Sequence, residues 1–155
     1  MAYLIFALRL FVGGLLVVAG GLKAHDGPAL TATFVAGYRI VPAALVAPLA
    51  VALPYVEIML GGYLMVGLFT RLAAWLVSAQ FIVFAGAVAS LVVRRISADC
   101  GCFGSSVRTP PSWGHVAADV ALGLVAAAIA LWAPGSFALD PLLGTSGSSH
   151  AKAEV

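Results

Sequence analysis

The only two cysteines of the 155-residue chain, Cys100 and Cys102, sit one residue apart in the run Asp99-Cys100-Gly101-Cys102-Phe103-Gly104. A disulfide across a single residue closes a small constrained ring, and strain makes such a bond more reducible than a relaxed structural one. Gly101 eases closure, because glycine reaches backbone angles that other residues resist. Arg94, Arg95 and Arg108 are placed to favour a thiolate, while Asp99 opposes it. The pair is therefore a candidate for thiol–disulfide exchange with another protein. Three other readings use the same residues: inert thiols, a disulfide that only pins its loop, or half of a metal site completed by His25 or His115. Two sulfurs at this spacing make half a zinc site and no second pair exists, so no metal is assigned. His115 and Asp119 are one helical turn apart. That spacing either turns the imidazole toward the thiols, as a proton acceptor, or caps a helix locally.

The elements that must carry this loop are set by composition. The chain is 63% hydrophobic and 9% charged, with mean hydropathy +1.09, against about 25% charge in soluble domains. A bilayer is the solvent that suits it, and a net charge of +2 gives no footprint for nucleic acid. A crossing helix needs about 20 mostly apolar residues. The segments 3–22, 43–69, 72–93 and 115–132 qualify, which predicts an all-α membrane protein, a four-transmembrane-helix bundle within residues 1–134. Arg9 interrupts the first segment and no basic stretch precedes it, so the segment reads as a retained helix and not a cleaved leader. Between the first two spans, Asp26-Gly27-Pro28 reads as a helix start. Asp26 is the expected cap there, and Leu30, Phe34 and Tyr38 form one apolar stripe, as in a short interfacial helix. Pro48 and Pro54 should kink the second span, and Ser112 can cap the fourth. Residues 135–155 form a polar tail, rich in Gly and Ser toward its end.

Arg9, Glu57 and Gln80 lie inside apolar helices, where a charge costs about 2.5–3.5 kcal/mol and normally pairs. Each lies 13 or 14 residues from the end of its segment on the two-loop side, roughly 20 Å at 1.5 Å per residue. An Arg9–Glu57 ion pair with Gln80 nearby is the expectation. Gly86 with Ser90, and Gly123 with Ala127, have the small-residue spacing that lets helices approach.

Across nearly its whole length the chain resembles the methylamine-utilisation MauE branch of the DoxX-like membrane proteins. The matching residues are Arg9, Lys23 with Asp26-Gly27-Pro28, and Tyr38-Arg39-Ile40-Val41-Pro42. Leu53-Pro54-Tyr55-Val56-Glu57 with Gly61-Gly62 follows, then Cys100-Gly101-Cys102-Phe103-Gly104. The resemblance implies a four-helix protein of a bacterial plasma membrane, working beside a thioredoxin-like partner in disulfide formation and protein maturation. Membrane disulfide generators that reduce quinone relay electrons between two cysteine pairs. This chain has one, so Cys100 and Cys102 must meet both donor and acceptor or act with a partner's cysteines, and no motif specifies a quinone. The alternative is a non-catalytic accessory or assembly subunit of a larger membrane complex, such as a transporter or respiratory enzyme. Sidedness is contested by two rules. Lys23, Arg39, Arg94, Arg95 and Arg108 lie on the cysteine-loop side against Arg71 and Lys152 on the other, which points that loop to the cytoplasm. Disulfide chemistry belongs on the oxidising side.

Overall fold

The computed structural model describes residues 2–96, 98, 101, 104–106 and 109–132; Cys100, Cys102, Asp99, Arg108 and the polar tail lie outside the described residues. The elements run α1 (Ala2–Asp26), α2 (Pro28–Gly37), α3 (Ala43–Val66), α4 (Thr70–Val93), a 3-10 turn (Gly104–Ser106) and α5 (Trp113–Trp132). Among the described residues, four helices, α1, α3, α4 and α5, are long and apolar enough to cross a membrane, and the short apolar α2 lies between the first two. The expected helical bundle is what forms.

Local chemistry explains where the helix ends differ from expectation. α1 continues past residue 22 to Asp26 and closes at Gly27, whose φ of 86° suits glycine. The Gly27 amide donates to the Lys23 carbonyl. Gly27, not Asp26, is then the N-cap of α2, with Pro28 in its first turn. α3 stops at Val66, three residues short of the expected end. Gly67 takes a left-handed conformation there, and the amides of Gly67 and Leu68 both donate to the Tyr63 carbonyl. That is a glycine-terminated helix end. α3 runs as one helix through Pro48 and Pro54. Ser112 does cap α5: its hydroxyl and its carbonyl both accept from the His115 amide.

α1 packs against α3 and α4 against α5 as the two most extensive pairs, with α2 laid on α3. In lipid, helices associate through close packing, because the tails are as apolar as the side chains. Glycines supply that closeness, Gly13, Gly20 and Gly61 between α1 and α3 and Gly123 between α4 and α5. A Cβ on Gly13 would lie 2.7 Å from the Gly61 carbonyl oxygen, and one on Gly20 would lie 2.6 Å from that of Pro54. Gly123 sits against Ile82, and the Ser78 hydroxyl donates to its carbonyl at 2.9 Å. Gly86 has no neighbour within 4 Å of a Cβ position, so it makes no such contact.

The bundle is divided along its length. Val12, Leu16, Leu64, Ala74, Val77, Phe81, Ala126 and Ile129 form the apolar core. Most of them belong to the half of the bundle nearest the α3–α4 turn. The opposite half carries the loops, the buried Lys23 and an open cavity.

Candidate functional site

The loop that bears the cysteines is fastened to the helices at the centre of its motif and again just after it. Gly101, the residue between Cys100 and Cys102, is buried at φ 67° against α2, where a Cβ would fall 2.7 Å from Phe34 Cγ. Only glycine fits that left-handed backbone and that contact. Four residues on, the Ser105 amide donates to Asp26 Oδ2 at 2.6 Å and the Ser105 hydroxyl to Asp26 Oδ1 at 2.7 Å. Gly104, also at positive φ, packs so close that a Cβ there would collide with the same carboxylate. Asp26 thus spends its charge on the loop.

Arg94, an expected thiolate-tuning residue, donates from Nη1 to the carbonyls of Tyr38 and Arg39 at 3.3 and 3.4 Å. It ties the end of α4 to the turn after α2. Arg95 is exposed at φ 53° and lines a cleft of about 520 Å³ with Leu91, Ile96, Pro110 and Pro111. Both imidazole nitrogens of His115 meet loop hydroxyls: Nδ1 lies 2.8 Å from Ser112 Oγ, and Nε2 lies 3.2 Å from Thr109 Oγ1. His115 thus bonds locally at the helix start, and the thiols toward which its imidazole is expected to turn lie outside the described residues.

The buried charges pair differently from the sequence expectation. Glu57 takes Lys23, with Nζ to Oε1 at 2.6 Å and both side chains almost fully buried. Helix side chains lean toward the N-terminus of their own helix, so Lys23 near the end of α1 reaches back into the bundle, where α3 presents Glu57. Arg9, fully buried, donates from Nε to the Leu64 carbonyl at 2.9 Å and from Nη2 to that of Met65 at 3.4 Å. These carbonyls belong to the last turn of α3, whose C=O groups lack partners within the helix. A cation is also favoured at that end of the helix dipole. Arg9 therefore closes α3 at the far side of the bundle, about two turns beyond Glu57. The Gln80 amide is buried, with neither its oxygen nor its nitrogen hydrogen-bonded among the described residues.

Lys23 falls just beyond the 3–22 segment that hydropathy marks as the first span, so sequence reasoning does not place it inside the bundle. One signal was available. Arg9, Leu16 and Lys23 recur every seven residues, as do Gly13 and Gly20, which places the cations and the glycines toward one helix face. Above Lys23 lies a cavity of about 220 Å³ walled by α2, α3, α4 and Gly101. Lys23 Nζ also lies 5.5 Å from the centre of the Phe84 ring.

The family model described as methylamine utilisation protein MauE matches residues 1–133. The chain is 32% identical over 144 residues to the methylamine utilization protein MauE of Paracoccus denitrificans, covering 92% of this chain and 77% of that one. It is 40% identical over 83 residues to the protein of that name from Methylophilus methylotrophus, covering 53% of this chain and 42% of that one. No solved structure matches the chain.

Proposed function

The chain belongs to the MauE family, and we propose that it is a membrane-embedded thiol–disulfide exchange component acting with a thioredoxin-like partner in protein maturation for methylamine utilisation. The observation that carries this reading is the double fastening of the loop. Phe34 packs on Gly101 and Asp26 bonds Ser105, so the described residues between and just after the two cysteines are held against the helices. Such fastening lowers the ordering cost of meeting a partner.

The chemistry is exchange, in which the loop disulfide is itself the two-electron oxidant of the partner. A partner thiolate attacks the Cys100–Cys102 disulfide, forming a mixed disulfide and releasing one loop thiolate. The partner's second thiol then displaces the other loop sulfur. The partner ends oxidised and the loop pair reduced by the same two electrons, with two protons carried over. The reverse order delivers electrons to the partner. With a single pair in the chain, a second protein or co-reactant must reset it. Arg94 and Arg95 place positive charge at the end of α4 that leads into the loop, and His115 positions the loop's other end.

This reading places the loop on the oxidising face of a bacterial plasma membrane. Lys23 weighs little against that, since it is buried and neutralised by Glu57 rather than free in a loop. The rival reading, a non-catalytic accessory subunit, draws on the inward bonds of Arg9 and Lys23, which build a scaffold and no reaction centre. Serine at both Cys100 and Cys102 separates the two. The exchange reading expects the protein to stay in the membrane while the maturing protein accumulates free thiols. Unchanged maturation would overturn it.

A further inference from the structure

We propose that the cavity beneath Gly101 is a binding site for the ring of a membrane-soluble quinone, with Lys23 donating to a ring carbonyl. Its volume of about 220 Å³ falls below the roughly 300–1,000 Å³ of sites for drug-sized ligands, so it takes one ring and leaves a tail outside. Phe34, Tyr38 and Phe84 line it, and aromatic walls suit a flat ring. Leu49 and Val83 also line it while being 41% and 67% exposed on the outer faces of α3 and α4. The mouth therefore opens sideways, where a bilayer would lie, and a ligand dissolved in lipid can enter without crossing water.

The polar end of the site is specific. Lys23 lines the cavity and is 3% exposed. An ammonium has three donors, and the described hydrogen bond from Nζ is to Glu57 alone. Spare N–H groups of a buried cation facing an apolar cavity call for an acceptor. Charge selects which one. Glu57 already balances Lys23, so an incoming carboxylate or phosphate would bring an uncompensated anion into a low-dielectric site. A neutral carbonyl accepts the bond without adding charge. Ring, carbonyl and apolar tail together describe a quinone. Binding stands independently of the exchange reading, because every contact it uses is to a described residue.

The test is equilibrium dialysis of the purified protein in detergent micelles against decylubiquinone, with empty micelles as the blank and phenyldecane as a probe that keeps ring and tail but lacks carbonyls. Saturable binding of decylubiquinone, at least tenfold tighter than phenyldecane, is expected. Ala87→Phe, which adds a ring to the cavity wall, should weaken it tenfold or more. The paired change Lys23→Met with Glu57→Gln removes the charged donor without stranding its partner, and should erase the preference over phenyldecane. Equal binding of the two probes would show a general apolar pocket and overturn the proposal. Absence of saturable binding to the folded wild-type protein, or full affinity in the Ala87→Phe protein, would overturn it as well.

Discussion

Replacing Asp26 by alanine should release the cysteine-bearing loop without unfolding the bundle. The carboxylate accepts two hydrogen bonds from Ser105, one from its amide at 2.6 Å and one from its hydroxyl at 2.7 Å. Bonds to a charged group contribute about 1.5–3 kcal/mol each when well shielded. Asp26 and Ser105 are only half-buried, and the freed donors can turn to water, so a combined loss of about 2 kcal/mol is the reasonable figure. At 1.4 kcal/mol per decade, that makes local opening roughly 30-fold more frequent. Asp26 is the last residue of α1, so the α1–α3 contacts at Gly13 and Gly20 stay as they were. Amide hydrogen exchange on the protein in nanodiscs reads the effect directly. The Ser105 amide should lose about 30-fold protection while the centres of α3 and α4 keep theirs. Asp26→Asn, which retains one acceptor oxygen, should fall between. Unchanged protection at Ser105 would refute the anchoring role. Equal loss throughout the helices would show that Asp26 holds the whole bundle and not the loop.

Two further outcomes follow from the α1–α3 seam. Removing one member of the buried Lys23–Glu57 pair, as Lys23→Met or Glu57→Gln, should cost about 3–5 kcal/mol in denaturant unfolding, while the two changes together should cost less than their sum; additive losses would mean that the pair does not interact. Gly13→Ala drives a Cβ into the Gly61 carbonyl and should destabilise by about 1–3 kcal/mol. Gly14→Ala meets nothing within 4 Å and should be neutral or stabilising, since alanine is the better helix former. Equal effects at positions 13 and 14 would contradict the observed register.

Much of this architecture was legible because a bilayer imposes long apolar runs. The four spans, the short helix after Pro28 and the cap at Ser112 all follow from composition and local rules. The interior polar contacts did not. Counting residues from helix ends pairs Arg9 with Glu57, and the real contacts differ for two reasons. The carbonyls at the end of α3 lack partners within the helix and take Arg9 in place of a carboxylate, and no side chain in the sequence marks them. Lys23 looks like a loop residue until α1 is seen to run on to Asp26, which gives Glu57 a cation on its own level. Asp26 has the spacing of a helix cap, yet its carboxylate serves Ser105, 79 residues away; local pattern cannot report a bond of that range. The same limit explains the glycines. Gly86 fits a small-residue pattern, yet a Cβ there would meet no described residue within 4 Å, while Gly13, Gly20 and Gly61 carry the α1–α3 approach because their faces oppose one another.

The central claim is that Cys100 and Cys102 exchange disulfides with another protein. Serine at one position at a time tests it most directly, since the remaining cysteine cannot be displaced by its neighbour and holds a partner as a mixed disulfide. After alkylation of free thiols in native membranes, either the Cys100→Ser or the Cys102→Ser protein should run as a larger species that collapses on reduction, absent when both are serine. If neither single variant forms that species while the protein is folded and in the membrane, the loop does not exchange disulfides.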